Sequence, residues 1–552
     1  MSTFSRVNFG FAAPVIALAL VAACGGGGND GKLVTTIGKP TTTTTTTVTA
    51  PTTASSDAYL AELPKMAEPK AVVPDRVFPI TTKSGVKALG IASKNLPIVY
   101  CRLVVRAGNT AAVIMGTGAK SKAGIADLTA ELLKDGGAGR FSPSELADRV
   151  DALGADLSVE TSADRVTFGI AVTKDKLDAA LEVLTAVVLH PKMDAKEFEK
   201  LKTRTLDRVR QAQKSEGFWI ARSALYRELF GAGHPYAEVD ATEQSLTSIT
   251  LADVKDFYKK LYVAANTFVV VAGDLDEADT GSKLDLHLKG ISTGTPPTIS
   301  YPTPAVVGEK EVILATKQGA KQADVFIGML GLSRKDEKWP ELALSLQALG
   351  GGMSARLFKD VREKRSLAYS TNANARELAN GPSFIALYAG TQTPQAPKSV
   401  VALLENLAWV SGEHPITAEE LASAKVSLET AFVYRLETIG SVAGLAIDKE
   451  ILGLPGSDLY DYVTSYRKRL HDATLDDVNA MAAARLKGQS VIIAVAGDPS
   501  LAKPLTHFAK VRVVDPEKGF ATISTLPFDA NAAIEVPAPV SVPPSTSSSV
   551  GK

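Results

Sequence analysis

Cysteine is nearly absent from this 552-residue chain: Cys24 and Cys101 are the only two, which excludes a disulfide framework. Six histidines scattered singly supply no Cys/His cluster of the kind that holds a structural metal. Neither sign of charge is in excess. The 60 Lys and Arg residues offset 60 Asp and Glu, so the chain lacks the footprint of a protein drawn to nucleic acid or to an anionic membrane surface. Long hydrophobic runs are missing too, since the apolar stretch at residues 11–23 falls short of the ~20 residues a comfortable transmembrane helix needs. What is present is a 45% hydrophobic composition, ample over this length for more than one buried core.

The opening "MSTFSRVNFGFAAPVIALALVAAC" joins one positive charge, Arg6, to that apolar run and reads as a targeting segment, to be set apart from the fold. It closes on small residues directly before Cys24, which resembles the lipobox of bacterial lipoproteins. That resemblance implies a signal peptide over residues 1–23 and acylation of Cys24. Several acyl chains at ~0.8 kcal/mol per buried methylene make such an anchor stable. With no aspartate after Cys24, the expected location is the outer membrane, facing the periplasm. Residues 24–72 begin "CGGGGNDG" and run through a Thr/Pro tract with nothing to bury, a flexible tether. Residues 517–552, ending in a Pro/Ser-rich stretch, read as a disordered tail.

The material between is duplicated. "ITLADVKDFYKKLYVAANTFVVVAGDLD", from Ile249, aligns without a gap to "ATLDDVNAMAAARLKGQSVIIAVAGDPS", from Ala473. Thr250 meets Thr474, Asp253 meets Asp477 and Gly273 meets Gly497; His190-Pro191 and His414-Pro415 recur at the same offset. In the first half, "PIVYCRLVVRAG" and "ADRVTFGIAVT" read as strands and "GIADLTAELLKDG", "LDAALEVLTAVVLHP" and residues 194–213 as helices; "SPSELADRVDALGADLSVET" is a capped helix turning into a strand. "ADVFIGMLGLS", "ELALSLQALGG", "PSFIALYAGT" and "SVVALLENLAWVSG" repeat that order. Strands and helices are mixed without strict alternation, which predicts an α+β fold of two tandem homologous halves, residues 73–290 and 309–516, joined by a linker at 291–308. Each half is expected to be a mainly antiparallel sheet with helices packed on it, and Cys101 a plain core residue.

In "GIADLTAELLKDGG", Asp127 and Glu131 stand four apart, so both carboxylates share one helix face. Two tandem halves of this size, together with "GGGMSARLFKDVREKRSLAYS" and "GHPYAEVDATEQSLTSITLADVKDFYKKLYVAANTFVVVAGD", resemble the pitrilysin/insulinase family of zinc peptidases. The likeness is greatest to short bacterial members and processing-peptidase subunits, which pair two chains into a clamshell around a chamber. In active relatives this first helix carries H-x-x-E-H, two zinc ligands and a general base. Here the motif falls on Asp127, Leu128, Thr129, Ala130 and Glu131, so both histidines and the base are missing. The third-ligand position falls on Arg208, and Leu201 stands where an assisting glutamate is expected. The resemblance therefore implies no metal in this chain and no catalysis by it alone, because a catalytic zinc needs three protein ligands and an open position. Two readings of the remnant stay open: Arg208 replaces the metal charge in a salt bridge to Asp127 or Glu131, or these are two solvated acids and an unrelated arginine.

The segment "REKRSLAY" resembles the family's arginine/tyrosine pair, which carries over to Arg362 and Tyr369 as substrate-binding residues. "GGGM" before it lacks the Lys-Ser/Thr ending of a phosphate loop and reads as close backbone packing at a helix start. A dead metal half beside a retained Arg/Tyr half implies the non-catalytic subunit of a two-chain peptidase, with peptide as substrate and zinc in the partner. The alternative is a lipid-anchored scaffold that uses the same fold without proteolysis.

Overall fold

The computed structural model describes residues 76–305, 308–488 and 490–535; the signal segment, Cys24, the tether and residues 536–552 lie outside the described residues. The first half supplies strands β1 (Arg76–Ile80), β2 (Lys87–Ala92), β3 (Ile98–Val105), β4 (Ser158–Thr161), β5 (Val166–Thr173) and β6 (Thr267–Gly273). They form one sheet in the order β1-β2-β6-β3-β5-β4, antiparallel except where β2 runs parallel to β6. Its helices are α1 (Ile125–Asp135), α2 (Pro143–Ala152), α3 (Leu177–Leu189), α4 (Ala195–Ser215), α5 (Gly217–Phe230), α6 (Glu243–Ser248), α7 (Leu251–Leu261) and α8 (Glu277–His287).

The second half repeats the plan. Strands β7 (Glu311–Thr316), β8 (Gln322–Leu330), β9 (Ala368–Arg376), β10 (Phe384–Gln392), β11 (Ile492–Gly497), β12 (Val511–Asp515) and β13 (Ala521–Leu526) form a sheet in the order β13-β12-β7-β11-β8-β10-β9. Helices α9 (Trp339–Gly350), α10 (Ala396–Ala408), α11 (Ala418–Tyr434), α12 (Ile439–Leu452), α13 (Leu459–Asp472), α14 (Leu475–Arg485) and α15 (Ala502–Leu505) accompany it. The fold is thus the expected α+β pair of mainly antiparallel sheets. The duplication is visible atom by atom at the caps: Thr250 Oγ1 accepts from the Asp253 N–H, and Thr474 Oγ1 from the Asp477 N–H, each closing the first turn of its helix.

Pleating sorts the central strands into two faces. Val99, Cys101, Leu103 and Val105 of β3 bury against α1 and α3 of their own half. Burial pushes the Cys101 thiol up to about 12, which makes it an unreactive core group. The opposite faces are covered by exchange. α5, from the first half, lies on β7, β8 and β11 of the second sheet, where Ile220, Leu225 and Leu229 join Ile313, Phe326 and Ile492 in one core. The approach is close at two glycines: a Cβ on Gly328 would stand 2.4 Å from the Leu225 side chain, and one on Gly217 would stand 2.1 Å from the Asp324 carboxylate, so either would displace that side chain. In return α12, from the second half, lies on β3 and β6, so that Val442, Leu445 and Ala446 bury with Val104, Phe268 and Val270. Two ion pairs link the halves beside this contact, Arg106 to Glu450 at 2.5 Å and Arg165 to Asp448 at 2.8 Å.

One boundary is corrected. The second domain does not stop at residue 516, because β13 pairs antiparallel with β12 along the sheet edge and Ala532 is buried. Five of the six β13 residues are exposed, so the strand carries none of the alternation that would mark it in the sequence.

Candidate functional site

Two places hold the residues singled out above. The first is the face of α1 that packs against α4 and β4. Ala130 is fully buried in the first-half core, and Leu201 of α4 belongs to the same core. Asp127 and Glu131 are half-buried, while Arg208 lies exposed on α4. Burial pushes the Asp127 carboxyl up to about 6; Arg208 pulls it down, Glu131 raises it further, and the Asn109 and Thr161 side chains beside it favour the charged form. Arg208 is therefore within electrostatic range of Asp127, yet among the described residues it closes no ion pair with either acid. Of the two readings of this remnant, neither holds in full. The acid is not freely solvated, and the salt bridge is not formed.

These residues do not fit zinc. Two carboxylates one turn apart are the only anionic donors, the third-ligand position carries a cation, and the base position is a buried methyl group. Among the described residues no group of three or more His, Cys, Asp or Glu side chains converges.

Asp127 gives a pH prediction. Its folded value lies above that of an unfolded aspartate, so the fold prefers the protonated form. Its contribution to stability is greatest below about pH 4, falls as pH rises to about 6, and stays lower by roughly 2–3 kcal/mol above that. Asp127→Asn is expected to raise the melting temperature at pH 8 and to leave it nearly unchanged at pH 4. An equal shift at both pH values would contradict the assignment.

The second place is the edge of the second sheet. Phe358–Lys364 is a π-helical segment, widened so that the Arg365 N–H reaches the Asp360 carbonyl. It is pinned by Arg365, whose guanidinium pairs with Asp360 at 3.0 Å and Glu405 at 2.6 Å. Ser366 then takes a left-handed turn, φ 52°, and the chain enters edge strand β9. This route brings Arg362 and Tyr369 together. The Arg362 guanidinium lies between two rings, 4.7 Å from the Phe358 centroid and 4.9 Å from that of Tyr369. Tyr369 is 81% exposed, and Arg362 has no carboxylate partner among the described residues. "GGGM" serves close packing as expected, but at the end of α9: a Cβ on Gly350 would stand 2.3 Å from the Ala373 backbone nitrogen of β9. Sequence reading missed Phe358, Ser366 and the Arg365 ion pairs; for the ion pairs alone, the cluster of charges in "FKDVREKRS" was an available signal.

Residues 91–234 match the family described as Insulinase (Peptidase family M16), and residues 248–428 match the Peptidase M16 inactive domain. The chain belongs to the insulinase family. It lacks the family's zinc motif, which fits a non-catalytic type of member. The insulinase-type match spans Asp127 through Arg208, and the inactive-domain match spans Arg362 and Tyr369. Among relatives of this insulinase-family chain, an uncharacterized zinc protease of Streptomyces coelicolor is 24% identical over 351 residues, covering 63% of this chain and 75% of that protein. The Helicobacter pylori protein named Non-peptidase homolog YmxG is 28% identical over 367 residues, covering 65% and 81%. A solved peptidase M16 inactive domain from Pseudomonas fluorescens shares the fold with a TM-score of 0.68 at 24% identity, over 77% of this chain and 98% of that one. A solved protease from Helicobacter pylori does so at 0.67 and 21%, over 77% and 100%.

Proposed function

We propose that this chain is the non-catalytic subunit of a periplasmic two-chain zinc peptidase, lending Arg362 and Tyr369 to peptide hydrolysis carried out by a zinc-bearing partner. The observation that carries the reading is the state of that pair: a guanidinium held by two rings but, among the described residues, without a carboxylate, beside a phenol open to solvent. Both are hydrogen-bond donors suited to a peptide carbonyl and to the oxyanion that develops from it. The partner's zinc would supply the activated water. This chain's contribution is to orient the substrate backbone and stabilise charge on the carbonyl oxygen. Hydrolysis by the reconstituted pair, with Arg362 and Tyr369 replaced in turn, tests the proposal.

The membrane anchor is part of the same reading and rests on the lipobox resemblance at Cys24. Cys24→Ala is expected to move the protein from the membrane fraction to the soluble periplasm with its melting temperature unchanged, because a tether separates anchor from fold. Unchanged membrane partitioning would show that Cys24 is not the anchor.

A further inference from the structure

The second half contains a counterpart to the degenerate cleft of the first. α9, β9 and α11 succeed one another as α1, β4 and α4 do, and they line a cavity of about 240 Å³ that α13 also borders. Where the first half keeps two acids, this cavity keeps two arginines. Arg334 is only 3% exposed. Its Nε donates to Glu377 at 2.9 Å and its Nη2 to the Tyr462 hydroxyl at 2.7 Å, while its guanidinium lies 4.8 Å from the Trp339 ring and 5.2 Å from the Tyr466 ring. Among the described residues its hydrogen bonds run through Nε and Nη2 and none through Nη1. Arg435 lines the same cavity, donates through Nη2 to Asp448 at 2.6 Å, and leaves Nε and Nη1 without partners among the described residues. Glu377 is the one carboxylate in the lining; Asp448 sits behind Arg435 and is shared with Arg165.

Free guanidinium N–H groups next to aromatic and aliphatic walls suit one chemistry. A carboxylate accepts from such donors in a fork, and the surrounding rings strengthen the contact by excluding water. The volume lies below the ~300–1,000 Å³ typical of whole small-molecule sites, and so suits a single residue with an apolar side chain. We propose that the cavity binds the free C-terminal residue of a peptide, its carboxylate on Arg334 and Arg435 and its apolar side chain against Trp339, Phe432 and Tyr466. The peptide source rests on the function proposed above; the carboxylate chemistry does not.

The test uses the full chain without a partner. Fluorescence anisotropy is measured with a labelled hexapeptide ending in phenylalanine as the free acid, with its C-terminal amide, and with an amide carrying an internal glutamate. The free acid is expected to bind at least ~10-fold more tightly than either amide. Arg435→Gln is expected to remove most of that preference while the melting temperature holds, and Arg334→Lys, if it folds, to do the same. Equal binding of acid and amide, or an undiminished preference in Arg435→Gln, would overturn the proposal. Tight binding of the glutamate-bearing amide would overturn the terminal assignment in favour of acidic side chains. Because no partner is present, these outcomes bear on the cavity alone, whereas failure to activate a partner bears on the subunit reading.

Discussion

In a complex reconstituted with its zinc-bearing partner, Arg362→Ala is expected to lower peptide turnover by about 10²-fold or more, the loss typical of a donor acting on an oxyanion. Tyr369→Phe removes the phenolic donor while keeping the ring over the guanidinium, so it separates hydrogen bonding from stacking. Its loss should fall mainly in kcat, because the bond it makes strengthens as charge develops. Arg362→Lys keeps the charge but gives up the planar fork and its seat between Phe358 and Tyr369, and should rescue only a small part of the rate. Assembly, followed by gel filtration, should survive all three changes. Full-rate hydrolysis by an intact complex lacking both side chains would mean that this chain only holds its partner in place, and the scaffold reading would win.

The second large effect concerns folding. Residues 73–305 expressed alone should fail to give a cooperative thermal transition, and so should residues 309–535. The reason is the helix exchange: α5 buries Ile220, Leu225, Leu229 and Phe230 on the other half's sheet, and α12 answers with Val442, Leu445 and Ala446. At about 1.5–3 kcal/mol for each large apolar side chain, the four on α5 alone are worth roughly 6–12 kcal/mol, comparable to the whole stability of a typical domain. Separating the halves exposes both helices and both sheet faces. Mixing the two fragments should restore the transition. A sharp, reversible melt of the first fragment by itself would show that the exchange is dispensable.

Much of this was readable in the chain. The repeated "Thr-Leu-x-Asp" cap and buried strand announced the duplication, because capping and β alternation are local signals. The exchange was not, since α5 is apolar around much of its surface and a helix without a single apolar stripe gives no hint of which sheet it covers. β13 escaped notice for the opposite reason, being an edge strand of mostly exposed residues. At the site, the resemblance of "REKRSLAY" to the family's pair pointed to Arg362 and Tyr369, but the π-helical widening and the turn at Ser366 that bring the side chains together are backbone events without a sequence signature. The burial of Asp127 was likewise hidden. A helical Asp and Glu one turn apart look solvated until Asn109, Thr161 and α4 are placed around them.

With Asp127, Ala130 and Glu131 where zinc ligands and base are needed, this insulinase-family chain is expected to bind no catalytic zinc and to hydrolyse no peptide by itself. Elemental analysis of the protein purified alone, paired with an assay on an unfolded peptide, tests it most directly. Far less than one zinc per chain and no cleavage are expected. About one zinc per chain, with cleavage that a chelator abolishes and added zinc restores, would contradict it.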